Sequence, residues 1–331
     1  MPFGLVKLAP DTFPGAVTGS AHTGYDYDDR WVMGFSHLRF SGVGNRGVGG
    51  NILLLPTWNP DAHDPASYSI PFDKRSERAS PGSYRVVVGE PGIEVELAAT
   101  DQVGLHRYTP AGNSVPHLLI DLGRSFTKTC YAFCTAVGSR ELVGEITSEQ
   151  MRPLGYYRIF FSIQSQQPFA GLRFYPGGRA DGIGSPGDDG SLVAVARFDG
   201  ASPAPLVVKV GLSSISVDQA RRNIAHEAPD WDFDGVRERC REAWAETLGR
   251  IEVAGRAEYQ ELLHTHLYRS CLSPFNVTSR AGTYMGNDGE VHEAHGLCRY
   301  NGWSNWDTYR TKFPLLTLLK PDRMPGMMHS L

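Results

Sequence analysis

The sequence of 331 residues predicts an antiparallel β-sandwich followed by a group of α-helices. Between about residues 50 and 215, short segments of alternating apolar and polar residues are separated by Gly, Pro and Asp. Alternation with a period of two is typical of strands that are buried on one face only. No helical pattern lies between these segments, which excludes a crossover topology. After residue 215 the apolar residues recur every three or four positions, which predicts helices.

The predicted strands follow one another along the chain. In the segment 83–88, Tyr84 and Val86 share one face, and in the segment 93–97 we expect Glu94 and Glu96 to point to water. Further strands are predicted at Leu105–Thr109, His117–Asp121, Tyr156–Ile163, Gly171–Tyr175, Leu192–Phe198 and Leu206–Ile215. Many short strands with regular turn residues between them indicate two packed antiparallel sheets.

Capping residues mark the first two helices. Ser216 with Gln219 fits a capping box, so a helix is expected to begin there and to end before Pro229. Asp232 is the expected N-cap of a second helix, and Gly249 its left-handed stop. The predicted buried face of this helix consists of Phe233, Val236, Cys240, Trp244 and Leu248.

The remaining 80 or so residues predict more helices and one irregular segment. A third helix is expected at 257–273, ending before Pro274. The segment 280–292 is rich in Gly, Asn and Asp and indicates a loop or a small hairpin. A fourth helix is expected at about 305–320, and the segment 324–331 begins another element.

Composition excludes several classes of protein. A net charge of −4 and a pI near 6.3 argue against binding to nucleic acid. No run of about 18 apolar residues could span a membrane, and the first residues lack the pattern of a signal peptide. Cys130 and Cys134 are four apart in a strand, so we expect both on one face, and without a second pair they do not indicate zinc.

Two neighbouring segments are rich in residue types that bind sugars. Gly24–Arg30 and Gly34–His37 contain Tyr25, Ser36 and His37, which combine an aromatic face with hydrogen-bonding groups. The alternative is a turn-rich connection whose Asp residues cap turns. The glycines between residues 42 and 50 do not form a phosphate loop, because a strand-like segment follows them.

A second cluster begins at Trp303. Trp306 offers a stacking surface, Asp307 an acceptor for two hydroxyls, and Arg310 a charge that could orient Asp307. The alternative is the start of an ordinary helix with buried aromatic residues. His292 and His295 lack the spacing of a helical metal motif, so the segment is interpreted as a solvated loop and metal ligands stay unknown.

The chain resembles glycoside hydrolase family 92, the calcium-dependent exo-α-mannosidases. The matching segments occur in the family's order and are Pro2–Thr12, Gly24–Arg30, Gly34–His37, Ser80–Tyr84, Gly92–Tyr108, Trp244, Leu248–Ile251, Leu267–Ser270, Tyr284, Gly289, His292, Trp306–Arg310 and Pro314–Leu315. The resemblance implies a β-sandwich followed by an (α/α)6 barrel, of which this chain holds the first helices. It also implies an inverting glycosidase that needs Ca2+, acts on mannose-containing glycans, and is secreted, periplasmic or on the cell surface.

The same resemblance implies which residues bind substrate. Trp306 and Asp307 would line the terminal-sugar subsite, and the Gly34–His37 segment would complete it from the sandwich. The acid, the base and the calcium ligands are expected beyond Leu331, so no catalytic residue is assigned and the chain alone is expected to be incomplete and inactive. Arg39 stands where members carry a histidine, which leaves linkage and sugar preference open.

The predicted organisation has three parts: a sandwich domain at 1–215, a helical linker at 216–250 and the start of the barrel at 251–331. Two other functions stay open at this point. The chain could be a carbohydrate-binding or assembly module without catalysis, or part of a disaccharide phosphorylase with the same sandwich-plus-barrel plan.

Overall fold

The computed structural model describes residues 1–18, 23–40, 48–59, 61, 63–64, 68–150, 155–175, 183–184, 192–199 and 204–331. Most of the predicted glycine turn at 42–50 lies outside the described residues. The strands are β1 (Ala9–Phe13), β2 (Trp31–Ser36), β3 (Arg39–Phe40), β4 (Val48–Gly49), β5 (Leu53–Thr57), β6 (Ile70–Ser80), β7 (Ser83–Val88), β8 (Ile93–Ala99), β9 (Val103–Pro110), β10 (His117–Asp121), β11 (Thr129–Val137), β12 (Glu141–Glu149), β13 (Tyr156–Ser165), β14 (Gly171–Tyr175), β15 (Ile183–Gly184), β16 (Val193–Arg197), β17 (Leu206–Ser213), β18 (Phe275–Asn276), β19 (Thr283–Met285), β20 (Val291–Glu293) and β21 (Tyr300–Asn301).

The helices follow the large sheet, apart from one short turn near the start of the chain. They are α1 (Gly15–Thr18), α2 (Val217–Glu227), α3 (Phe233–Leu248), α4 (Ala257–Ser270), α5 (Asn305–Thr308), α6 (Lys312–Leu319) and α7 (Met324–His329), with a 3-10 turn at Pro321–Arg323 before α7. None of the described helices has the length and apolar character needed to cross a bilayer.

The large sheet runs in the order β14-β16-β10-β5-β2-β6-β7-β8-β9-β17-β13-β12-β11-β15, with β1 added to β2. The two layers of the sandwich are joined by β6, which is 11 residues long. At its start Ile70 pairs with Val32 of β2, and further on Phe72 pairs with Val88 of β7. The inward residues of the two layers form one apolar core. The predicted burial on one face only is wrong for β5, β10, β16 and β17, which are buried along nearly their whole length, and α2 packs against β17. The predicted order of sandwich and helices is confirmed.

One outward position on β8 differs from its prediction. Glu96 is buried instead of facing water, because α3 packs over that side of the strand. Its carboxylate accepts from Arg107 Nε at 2.6 Å, and Arg107 continues to Asp234 on α3 at 2.7 Å. A strand face that is polar in sequence is therefore part of the seam between sandwich and helices.

The predicted N-cap side chains of α2 and α3 are in place, but one predicted stop is wrong. The second half of the capping box is also wrong, because the Gln219 side chain donates to Asn223 Oδ1 at 2.9 Å instead of reaching back to Ser216. Ser216 Oγ accepts from the Gln219 amide at 3.1 Å, and Asp232 Oδ1 accepts from the Gly235 amide at 2.9 Å. Gly249 ends α3 with φ −73° and ψ −1°, which is right-handed. The chain leaves this helix without the left-handed turn because the Gly249 amide still donates to Ala245 O at 2.8 Å.

Two further predictions are corrected. The helix expected at 305–320 is broken into α5 and α6, with Tyr309–Thr311 between them. Cys130 is exposed while Cys134 is buried, so they do not share a face. A register shift between Thr129 and Tyr131 inserts an extra residue there and reverses the alternation, as a β-bulge does.

Candidate functional site

The sandwich side of the predicted sugar site is built around the buried carboxylate of Asp11. Its Oδ1 accepts from Ser36 Oγ at 3.2 Å and from the guanidinium of Arg39, and Arg124 Nε lies 3.5 Å from Oδ2. Arg39 also donates to Ser36 Oγ at 3.1 Å and to the backbone carbonyl of Thr23. Since Ser36 and Asp11 are fully buried, this network holds β1, β2 and the segment that leads to Tyr25 in one arrangement.

His37 is also fully buried, and both of its ring nitrogens have partners. Nδ1 lies 2.6 Å from the carbonyl of Ile52, so it carries the proton. Nε2 must then accept from His106 Nε2 at 2.9 Å, and His106 Nδ1 accepts from the Tyr108 hydroxyl at 2.8 Å. Burial lowers the pKa of His37 to about 4, and it lowers the pKa of His106 well below its usual value. Both rings are neutral in this chain of hydrogen bonds.

Tyr25 belongs to a cage around a bulge in β6. Glu77 accepts from the Tyr25 hydroxyl at 2.9 Å and from the Tyr84 hydroxyl at 2.7 Å. Lys74 Nζ lies 2.8 Å from Glu77, donates to the Tyr25 hydroxyl, and sits 4.2 Å from the ring centre of Tyr27. Burial raises the pKa of Tyr25, which stays a neutral phenol. The half-buried Tyr25 ring is thus fixed by charge-assisted hydrogen bonds.

Trp306, Asp307 and Arg310 lie on and just after the short helix α5. Trp306 is 87% exposed, so its ring is free to stack on a ligand. Asp307 accepts from Ser304 Oγ, and Arg310 Nε donates to the Tyr309 hydroxyl at 2.6 Å. The predicted orientation of Asp307 by Arg310 is therefore not seen, because Tyr309 takes the guanidinium instead.

The six predicted residues form two groups in the structure. Tyr25, Ser36 and His37 lie on the sandwich side, each in a different hydrogen-bond group, and the other three lie on the exposed α5 segment. Among the described residues, no hydrogen bond, ion pair or ring contact joins one group to the other. Contact between a sugar and all six residues stays a prediction. Because the polar atoms of Ser36 and His37 already have hydrogen-bond partners, the structure favours a supporting role for these two.

A cavity of about 320 Å3 lies at the seam between the sandwich and the helices. Trp244 and Tyr268, whose ring centres are 4.5 Å apart, line it on the helical side, and Tyr84 and Arg39 line it on the sandwich side. None of the six predicted residues lines it. In the sequence, Tyr84 lies on an apolar strand face and Trp244 on an apolar helix face. Both patterns predict core packing, so the sequence did not indicate a cavity at these residues.

The comparisons with known proteins match the whole chain. Residues 1–213 match the glycosyl hydrolase family 92 N-terminal domain, and residues 219–331 match the family 92 catalytic domain. The chain belongs to glycoside hydrolase family 92. The resemblance stated from the sequence is thereby confirmed.

Family 92 relatives have the same fold. The structure of the family 92 glycosyl hydrolase ccman5 is similar with a TM-score of 0.88 and 33% identity, over 99% of this chain and 45% of that one. The family 92 α-mannosidase BT3965 from Bacteroides thetaiotaomicron has a TM-score of 0.87 and 24% identity, over 100% of this chain and 45% of that one.

A curated relative extends the comparison to a fungal protein. An uncharacterized secreted glycosidase of Arthroderma benhamiae is 26% identical, over 92% of this chain and 43% of the relative. The chain therefore spans a little less than half of the length of the relatives that it matches.

The calcium expected of a family 92 enzyme is not accommodated by the described residues. They contain no group of three or more His, Cys, Asp or Glu side chains that could hold a metal ion. His292 and Asp288 lie 2.8 Å apart on the exposed β19–β20 hairpin. Two ligands on a solvated hairpin do not make a calcium site, which needs six to eight oxygens.

Proposed function

We propose that this chain supplies the sandwich and the first helices of an exo-acting glycosidase that removes terminal α-linked mannose with inversion. The observation that carries the proposal is the match to both family 92 domains in their order along the chain. The similarity to ccman5, at 33% identity over 99% of the chain, supports it. One neighbouring structure is an α-mannosidase in complex with mannoimidazole, which supports mannose as the sugar.

Inversion needs two carboxyl groups on opposite faces of the sugar, about 6.5–9.5 Å apart. One protonates the leaving oxygen, and the other activates a water molecule. We assign neither role to a residue of this chain. Its own contribution is binding: Trp306 would stack on the C–H face of the pyranose, and Asp307 would accept from two hydroxyls. Tyr25, held by Glu77, would close the subsite from the sandwich.

Calcium and secretion are part of the same proposal. Calcium would have to be held by residues outside those described here, since the described residues do not fit it. The secreted relative from Arthroderma benhamiae supports an extracytoplasmic location. The domain limits 1–215, 216–250 and 251–331 are likewise proposed.

Calorimetry of the chain with methyl α-mannoside tests the binding role. Trp306→Ala and Asp307→Asn are each expected to weaken binding about tenfold, which corresponds to roughly 1.4 kcal/mol. The matched controls are Tyr259→Ala and Asp322→Asn, which change an exposed aromatic and an exposed acid elsewhere on the helices. Equal affinity for the wild type and both site variants would remove Trp306 and Asp307 from the sugar subsite.

Hydrolysis is tested with a protein that carries the complete catalytic domain. Proton NMR of an aryl α-mannoside reaction is expected to reveal β-mannose first, and removal of calcium by a chelator is expected to stop turnover. Early appearance of α-mannose would contradict inversion. Turnover that survives chelation would contradict the calcium requirement.

A further inference from the structure

Two half-buried lysines meet at the segment 273–275 without a carboxylate. Lys7 Nζ lies 4.4 Å from the ring centre of Phe275 and 3.5 Å from the carbonyl of Gly4. Lys312 Nζ donates to Ser273 Oγ at 3.0 Å. In the described part of the chain, neither ammonium group forms an ion pair. Both groups therefore lie on one short segment with neutral partners only.

The surroundings disfavour two positive charges at this place. Burial lowers the pKa of Lys7 to about 7, and the nearby charge of Lys312 adds to the effect. Burial also lowers the pKa of Lys312. An ammonium group taken from water without an anionic partner costs several kcal/mol, so a bound anion would stabilise both.

Two other lysines removed from solvent have a carboxylate partner. Lys320 lies 3.1 Å from Glu246, and Lys74 lies 2.8 Å from Glu77. Lys209 donates at 2.7 Å to a carbonyl that follows α2, so its partners are also neutral, and burial lowers its pKa to about 8. The pair of Lys7 and Lys312 differs from Lys320 and Lys74 in lacking a negative partner.

This place borders the seam cavity at Lys7, whereas Lys312 and Ser273 are not among the cavity's described lining residues. Lys7 and Leu272 both line the cavity, and none of its described lining residues is Asp or Glu. Arg39, only 7% exposed, lines it as well, and its Nε has no hydrogen-bond partner. The remaining wall is largely apolar and aromatic, with Trp244 and Tyr268 on the helical side. The cavity thus combines basic groups with an apolar body of about 320 Å3.

We propose that an oxyanion carried by a small organic ligand binds between Lys7 and Lys312, with the ligand's apolar body in the seam cavity. The oxyanion is a phosphate or a carboxylate, and Ser273 Oγ is a further donor to it. This site is separate from the Trp306 cluster, and it does not depend on the proposed mannosidase activity.

Titration calorimetry of the chain at constant ionic strength tests the site with inorganic phosphate, phenyl phosphate and benzoate. Phenyl phosphate is expected to bind about tenfold more tightly than inorganic phosphate, because its ring enters the cavity. Benzoate distinguishes the carboxylate from the phosphate source. In a buffer near pH 8, binding is expected to take up protons as Lys7 becomes charged, so the observed heat changes with the buffer's ionisation enthalpy.

Lys7→Met and Lys312→Met keep the length of the side chain and remove its charge. Each is expected to weaken binding about tenfold, and Lys7→Met is expected to abolish the proton uptake. Lys128→Met, at an exposed lysine, is the matched control and is expected to change affinity less than about twofold.

The wild type alone can overturn the proposal if no probe binds and none raises its melting temperature, a result that does not depend on the variants folding. Equal losses in Lys128→Met and Lys7→Met would overturn it too, because the attraction would then be non-specific. Equal binding of inorganic and phenyl phosphate would overturn the role of the cavity.

Discussion

Acidification is expected to destabilise the sandwich through the buried pair of His37 and His106. Both rings are fully buried, their Nε2 atoms are 2.9 Å apart, and the partners of the pair are a carbonyl and the Tyr108 hydroxyl. Neither partner is a carboxylate that could balance the positive charge of an added proton. Protonating either histidine would place a positive charge in the core. It would also turn an accepting ring nitrogen into a donor, so one hydrogen bond of the chain would be lost.

The size of the effect follows from the pKa of His37, which is about 4 in the folded chain against 6.5 for the free side chain. The unfolded chain binds the proton first, so stability is complete above pH 6.5 and falls as the pH drops towards 4. Between about pH 7 and pH 5, His37 alone removes roughly 2 kcal/mol of unfolding free energy. The pKa of His106 is lowered as well, so its contribution has the same sign.

Urea unfolding followed by far-UV circular dichroism across this pH range measures the loss. His106→Gln keeps an amide donor for His37 and a carbonyl acceptor for Tyr108, but it cannot titrate, so its stability is expected to fall less steeply with acid. His266→Gln removes an exposed histidine and is expected to keep the wild-type slope. Parallel curves for the wild type and His106→Gln would refute the reasoning.

Two substitutions test the packing and the charge network. Gly144→Ala would drive a methyl group into a carbonyl of β11 and is expected to cost more than about 2 kcal/mol, whereas Gly171→Ala meets open space and is expected to cost less than about 1 kcal/mol by urea midpoint. Asp11→Asn leaves Arg39 without its buried counter-charge and is expected to cost about 3 kcal/mol, against less than about 1 kcal/mol for Asp61→Asn in an exposed ion pair. Similar urea midpoints for a variant and its control would contradict the corresponding argument.

Much of the fold was predictable because its signals are local. Alternation in β7 and the caps at Ser216 and Asp232 depend on residues a few positions apart. The errors arise where distant residues decide. The bulge that separates Cys130 from Cys134 is a feature of strand pairing, and Glu96 is buried by a helix more than a hundred residues later in the chain.

The candidate site was predictable in residue types and much less in roles. Tyr25 and Trp306 are exposed or half-buried aromatic residues, as a sugar site needs. Ser36 and His37 belong to the motif that follows the Tyr25 motif, but Ser36 at the end of β2 and His37 directly after it are both fully buried. No local pattern could indicate that Arg39 would donate to Asp11, Ser36 and backbone carbonyls, since those partners come from three separate segments.

This arrangement bears on what Arg39 can do for specificity. A guanidinium that already donates to a buried carboxylate and several carbonyls has little left to offer a sugar. Because Arg39 also donates to the backbone carbonyl of Thr23, its role in the structure is to fix the segment that leads to Tyr25.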